Sequence, residues 1–161
     1  MTAAVADTHG FEAALGQVPA PGRGWVNALR KRGVEAFERQ GFPTTRLEEW
    51  RDTNVSAIAR THFVAAAPTV DAVEGAEALF AAYSFGKGAA AEIVFINGHF
   101  DARFSRLDHL PAGVRVERLA VALESEHADL VEAHLGRAAK ISSHPFAALN
   151  AAFFADGFVL D

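Results

Sequence analysis

The stretch from Gly41 to Thr53 constrains the fold more than any other, because it combines a helix end, a turn and a helix start. Gly41 readily takes the left-handed backbone conformation that ends helices. Phe42 then lies where a residue packs back onto the preceding helix, and its predicted partner is Phe37. Pro43 lacks a backbone N–H and disfavours helical geometry at Phe42, so the chain has to change direction here.

The second half of this corner has the spacing of a helix start. Thr45 and Glu48 are three residues apart, as in a capping box, where each side chain bonds the other residue's backbone N–H. This spacing predicts a short helix over 46–51. It also predicts that Trp50 is largely buried against the preceding helix, which the apolar spacing places over 25–40.

Apolar periodicity places helices on both sides of a β-hairpin. The further predicted helices cover 70–85, 118–135 and a last segment capped by Ser142 or Ser143, with Pro145 in its first turn; an amphipathic run at the N-terminus contains Phe11, Leu15 and Val18. The predicted strands are 93–96 and 99–104, joined by a type I′ turn at Asn97-Gly98, then 114–116 and 158–160. The predicted fold class is α+β, with a mainly helical N-terminal domain over 1–90 and a hairpin with helices over 91–161.

Composition excludes several classes of function. The chain of 161 residues has a net charge of −5, whereas a nucleic-acid surface needs a basic stripe. The sequence has no Cys, so it offers no disulfide, no thiol nucleophile and no thiolate ligand for zinc or an iron–sulfur cluster. No apolar window is long enough to predict a membrane span.

The residues that could carry chemistry do not form a known pattern. His127 and His134 are two helical turns apart, about 10.5 Å, which is too far for two ligands of one zinc ion. The carboxylate pairs Glu48-Glu49 and Glu124/Glu126 do not face each other on a helix. Other candidates fail on context: Ser142-Ser143-His144 lacks a nucleophile elbow, and Gly86-Lys87-Gly88 lacks most of a phosphate loop. The sequence therefore predicts no catalytic residue, no metal site and no cofactor site.

Three segments together resemble the SufD family, the scaffold subunits of the SUF complex that assembles iron–sulfur clusters. The first carries Arg30, Gly41-Phe42-Pro43, Glu48-Glu49-Trp50-Arg51 and Thr53; the second is Val94-Phe95-Ile96-Asn97-Gly98; the third is Leu149-Asn150-Ala151-Ala152-Phe153 with Asp156-Gly157. They lie in family order and span most of the chain. One departure is Asp52, where the family usually has an aromatic residue.

The resemblance implies a cytoplasmic scaffold that works with a SufB-like subunit and a SufC-like ATPase and has no active site of its own. It also implies that a parallel β-helix follows. Independently of the resemblance, the sequence ends one residue after the apolar run 158–160, which predicts a fragment whose last strand has an unpaired edge and mediates self-association. A cluster is implied for the full complex alone. Three alternatives remain: a SufB-like paralogue, a stand-alone interaction module, and a metallohydrolase using His127 and His134.

Overall fold

The computed structural model of the chain describes residues 23–64, 66 and 75–161. The predicted amphipathic run with Phe11, Leu15 and Val18, and the first turn of the helix predicted over 70–85, lie outside the described residues. Six α-helices occur in the described part: α1 Gly24–Gln40, α2 Ser56–Arg60, α3 Ala76–Tyr83, α4 Leu119–Ala122, α5 Ala128–His134 and α6 Pro145–Phe153. The strands are β1 Phe95–Ile96, β2 His99–Phe100, β3 Val116–Arg118 and β4 Phe158–Leu160, and short 3₁₀ turns cover Glu48–Trp50 and Gly86–Gly88. This mixture of helices and strands confirms the α+β class.

The described residues form two compact units. The first contains 23–64 and Glu132–Phe154, and the second contains 66, 75–131 and Ala155–Asp161. Each unit combines two segments that are separated in the sequence, whereas the predicted division at residue 90 gives two continuous segments. As a statement about independently folding domains, that division stays a prediction.

The first unit is built on the packing of α1 against α6. Gly33 lies so close to α6 that an added Cβ would be 2.6 Å from Ala152 N and 2.7 Å from Ala148 O. The contact face of α6 consists of small residues, with Ala148, Ala151 and Ala152 buried. A glycine opposite alanines lets the two backbones approach within a distance that larger side chains would prevent.

Helix α6 begins differently from the prediction. Its N-cap is His144, with no side-chain hydrogen bond to the helix, and Pro145 occupies the first turn. Ser142 and Ser143 belong to the preceding turn, where Ser143 N donates to Lys140 O at 3.1 Å. Capping by either serine was therefore wrong, whereas the position of Pro145 is confirmed.

In the second unit, the hairpin turn is as predicted but its strands are shorter. Asn97 and Gly98 both have positive φ, as a type I′ turn requires, and Phe95 pairs with Phe100. The return strand ends at Phe100 because Ser105 Oγ and Arg103 N both bond Asp101, which curls the chain into a turn. The predicted strand over 99–104 was therefore wrong after residue 100. One further bridge, between Glu92 and Arg106, closes the hairpin beyond this turn.

The second unit also contains a two-stranded antiparallel sheet, the short helix α4 and the first residues of α5, whose end from Glu132 belongs to the first unit. Strand β4 pairs with β3, so that Val159 lies opposite Glu117. The helix predicted over 118–135 is divided into α4 and α5. In this segment, Leu130 is 40% exposed, while four other apolar residues are buried: Leu119, Ala122, Leu123 and Val131. The strand at 158–160 is confirmed; the parallel β-helix that would follow stays a prediction.

Candidate functional site

The first half of the corner that follows α1 has the structure that the sequence predicts. Gly41 has φ 63°, and its N–H donates to Phe37 O at 2.7 Å. The rings of Phe37 and Phe42 meet edge to face with centroids 5.0 Å apart. Both side chains are buried, in a cluster with Ala36 and Ala148. The Phe–Phe contact thus fixes the direction in which the chain leaves the helix.

The second half of the corner is a 3₁₀ turn and not a capped α-helix. The turn covers Glu48–Trp50, its N-cap is Leu47, and no side chain caps it. The chain turns one residue earlier than the capping box requires, since Thr44 O accepts from Leu47 N at 3.0 Å and Thr44 Oγ accepts from Arg46 N at 3.4 Å. The predicted helix over 46–51 and the Thr45–Glu48 capping box were therefore wrong.

Trp50 contacts α6 and is half-buried. Its ring lies 5.4 Å from the ring of Phe146, with 38° between the planes, and Phe146 in turn meets Phe42 at 6.0 Å. Trp50 is therefore partly buried against Phe146 of α6, whereas the predicted contact with α1 stays a prediction. The aromatic chain from Phe42 through Phe146 to Trp50 holds the corner against α6.

The polar residues of the corner point into solvent. The side chains of Glu48, Arg51 and Asp52 are 83%, 63% and 88% exposed. Arg51 Nη1 lies 2.9 Å from Glu48 Oε1, an exposed ion pair that contributes roughly 0–1 kcal/mol to stability. Leu47 is also 52% exposed. We call Leu47 to Asp52 the corner tip. Its residues other than Trp50 add little to the core, and Trp50, which packs on Phe146, holds the corner tip in place.

Arg30 connects α1 to the end of α6. It is 6% exposed, and its Nε donates to Ala152 O at 3.1 Å. Ala152 lies in the last turn of α6, where free carbonyl groups attract a cation. Burial lowers the pKa of Arg30 from its ordinary value, although the guanidinium stays charged. Sequence alone singled out Arg30 by resemblance and gave no contact for it.

The Asp156-Gly157 segment has a comparable role in the second unit. The Asp156 carboxylate accepts from Arg118 Nη2 in an ion pair and from Gly157 N at 2.9 Å. Its other contact is with Ala120 N at 3.4 Å, at the start of α4. Asp156 therefore fixes the chain between α4 and β4. Arg30 and Asp156, one motif residue in each unit, thus each hold two parts of their unit together.

One polar cluster was not predicted. His127 Nδ1 lies 3.0 Å from Glu117 Oε2, and Ser125 Oγ donates to the same oxygen at 3.4 Å. This is not a catalytic triad, since Ser125 and His127 both bond the carboxylate and His127 does not bond Ser125 through its ring. No sequence signal links β3 to the loop before α5. His134 lies at the end of α5 and is exposed. The acidic residues Glu124 and Glu126, which precede α5, are also exposed.

A comparison with models of protein families identifies the family of this chain. The family model of the SufBD protein N-terminal region matches residues 11–160. The chain belongs to this family. No curated protein and no solved structure shows a significant match to it. Membership is shared by SufB and SufD, so the family assigns this SufBD N-terminal region a role in the SUF iron–sulfur cluster assembly complex without separating the two subunits.

Two structural findings bear on what this SufBD N-terminal region contains. Among residues 23–64, 66 and 75–161, no three His, Asp or Glu side chains are grouped so as to hold a metal ion. In the same part of the chain, no helix is long and apolar enough to cross a membrane. The family consists of scaffold-like SUF subunits, which form complexes with other subunits and are not conventional enzymes.

Proposed function

We propose that this chain is the N-terminal region of a SufD-type subunit that assists iron–sulfur cluster assembly through protein contacts and not through catalysis. Its partners are a SufB-like subunit and a SufC-like ATPase, and it acts in the cytoplasm. The Glu48-Glu49-Trp50 sequence at the corner favours SufD over SufB. The cluster is the product of the assembled complex, so this region holds no resident cofactor, and a parallel β-helix follows it in the full protein.

The observation that carries the proposal is that the aromatic residues of the corner are packed while its charged residues are exposed. Its aromatic residues pack against α6, whereas Glu48 and Asp52 are more than four-fifths exposed. Charged side chains that do little for the fold, yet stand on a rigid base, are available for a partner at low entropic cost. The lack of Cys in the sequence supports a contact role, because a chain without thiolates lacks the usual cluster ligands.

Co-purification tests this proposal. The tagged chain is co-expressed with the SufB-like, SufD-like and SufC-like proteins of the same genome. We expect it to retain the SufB-like protein and not the SufD-like protein. The double variant Glu48→Lys/Glu49→Lys should lower the retained amount about tenfold, since two charges at the contact change sign.

The matched control is Glu124→Lys/Glu126→Lys, which reverses two exposed carboxylates on the second unit. It should leave the retained amount unchanged. Retention of the SufD-like protein in place of the SufB-like protein would assign the chain to SufB. Retention of none of the three, or equal losses in both double variants, would contradict a specific contact at the corner tip.

A further inference from the structure

Charge is divided unevenly between the two units. Among the described residues, the first unit has ten Lys and Arg against six Asp and Glu, a formal charge of +4. The second unit has five against ten, a formal charge of −5. The acidic composition of the whole chain therefore conceals a basic surface on the first unit.

Three of these basic side chains line a cleft of about 320 Å³ that lies between α1 and the loop 136–142. Arg32 and Arg39 line it from the helix, and Lys140 lines it from the loop. Ala36 and Ile141 provide an apolar floor, and Ser142 lies at the loop end of the cleft. The cleft thus combines three cations with a small apolar surface.

The three cations have no carboxylate partner in the described part of the chain. Glu35 also lines the cleft, but its Oε1 lies 4.0 Å from Lys31 Nζ, outside the cleft lining. No described carboxylate lies within ion-pair distance of Arg32, Arg39 or Lys140. Unpaired cations around an apolar floor are a surface whose charge is available to a ligand.

The walls of the cleft are fixed by contacts behind it. Gln40 Nε2 donates to Ala36 O at 2.9 Å and to Ile141 O at 3.0 Å, which fastens the loop to the helix. Gly136 has φ 73°, and an added Cβ would be 2.6 Å from Leu29 Cδ1, so the loop begins in close contact with α1. The cleft is therefore preformed, which lowers the entropic cost of binding.

We propose that this cleft binds an acidic segment of a partner protein in which two carboxylates are three residues apart, with two small apolar residues between them. Arg32 and Arg39 are two helical turns apart, about 10.5 Å along the helix axis. An extended polyproline II segment brings residues three apart to the same side at about 9 Å. The two carboxylates then reach the two arginines, while an apolar residue between them covers Ala36 and Ile141.

A carboxylate-bearing peptide fits this cleft better than a nucleic acid. A nucleic-acid strand presents a continuous row of charges and requires a long basic stripe, whereas this cleft is short and contains Glu35. The volume is at the lower end of ligand pockets, roughly 300–1,000 Å³, which suits a few residues of peptide. This inference does not depend on the SUF assignment.

Fluorescence anisotropy tests the inference with a labelled peptide of repeated Glu-Pro-Ala triplets, which favours the polyproline II conformation, and the Gln-Pro-Ala peptide serves as the uncharged probe. We expect binding of the acidic peptide that weakens with added salt. Arg32→Glu and Arg39→Glu should each lower the affinity about tenfold, because an attraction becomes a repulsion. Two variants are used since Arg39 lies in the last turn of α1, where a carboxylate also disturbs the helix end.

The matched control is Arg46→Glu, an exposed arginine of the same unit that does not line the cleft. It should leave the affinity within about twofold of the parent chain. Equal losses in all three variants would show a response to net charge alone and overturn the proposal. So would equal binding of the Gln-Pro-Ala peptide, an absence of binding at low salt, or displacement of the peptide by inorganic phosphate or oligothymidylate at lower concentration than by unlabelled acidic peptide.

Discussion

At the scale of single residues, Gly33 has the strictest requirement. Its missing Cβ is the space into which the α6 backbone fits, at 2.6 Å from Ala152 N and 2.7 Å from Ala148 O. Gly33→Ala should therefore destabilise the chain by about 1–3 kcal/mol, since backbone atoms cannot move aside as side chains do. Gly24→Ala in the same helix meets nothing within 4 Å and should range from neutral to about 1 kcal/mol more stable. Urea unfolding of both variants measures this difference, and equal midpoints would contradict the close helix contact.

Trp50 and Phe42 differ in burial and in the number of aromatic rings that each contacts. Phe42 is 9% exposed and touches two rings, so Phe42→Ala should cost about 3–5 kcal/mol. Trp50 is half-buried on Phe146, so Trp50→Ala should cost about 1–2 kcal/mol. The free energies of unfolding of the two variants test this order. A larger loss for Trp50→Ala would mean that the corner depends on the indole more than its burial indicates.

At the scale of elements, Glu92 fastens the segment after α3 to the hairpin. Its Oε1 accepts from Ser84 Oγ at 2.7 Å and from Phe85 N at 2.8 Å, and Arg106 Nη2 lies 3.3 Å from Oε2. These contacts, first the hydrogen bond from Ser84, hold the pKa of Glu92 below its ordinary value of 4.5, although burial partly offsets them. A lowered pKa means that the contribution of Glu92 to stability is present above pH 4.5 and is lost as the pH falls further.

We therefore expect the Phe85 amide chemical shift to titrate with a midpoint below 4.5, the ordinary value for a glutamate. Glu92→Gln should remove this titration, because an amide does not ionise in that range. Glu124→Gln, a change at an exposed glutamate, should leave it intact. A midpoint at or above 4.5 would show that Glu92 is not stabilised as a carboxylate.

Sequence predicted those elements that depend on local signals. The end of α1 at Gly41 and the turn at Asn97-Gly98 follow from backbone conformations that few residues adopt, so they were correct. The corner tip and the return strand depend on competing local hydrogen bonds that the side chains of Thr44 and Asp101 accept, and these were missed. At the candidate site, periodicity could not show that α6 presents alanines to Gly33, because that contact depends on a partner distant in the chain.

At the scale of the whole molecule, the edge of β4 that no described strand covers predicts self-association. Arg115 and Asp161 exchange hydrogen bonds of 2.7 and 3.0 Å, so in the alternating pattern Val159 also bonds Glu117. The N–H groups of Phe158 and Leu160 then point away from β3, along an edge that can pair with another chain. Both side chains are exposed, at 52% and 63%.

Leu160→Pro should therefore weaken self-association in sedimentation velocity, since it removes an outward N–H and leaves the Val159 ladder bonds in place. Leu160→Val, which keeps the N–H, should associate like the parent chain. Val159→Pro is unsuitable because it would break the pairing with β3. A parent chain that stays monomeric at the highest concentration would rule out pairing through this edge.

Hydrogen exchange of the complex tests most directly whether the corner tip is a contact surface of a SUF subunit. The chain is measured alone and with the SufB-like and SufC-like proteins. We predict slower exchange in peptides that cover Leu47 to Asp52 on complex formation, with no change in peptides that cover Glu124 to His127. A complex that forms while the corner tip exchanges at its free rate would contradict the claim, as would a mixture in which no complex forms.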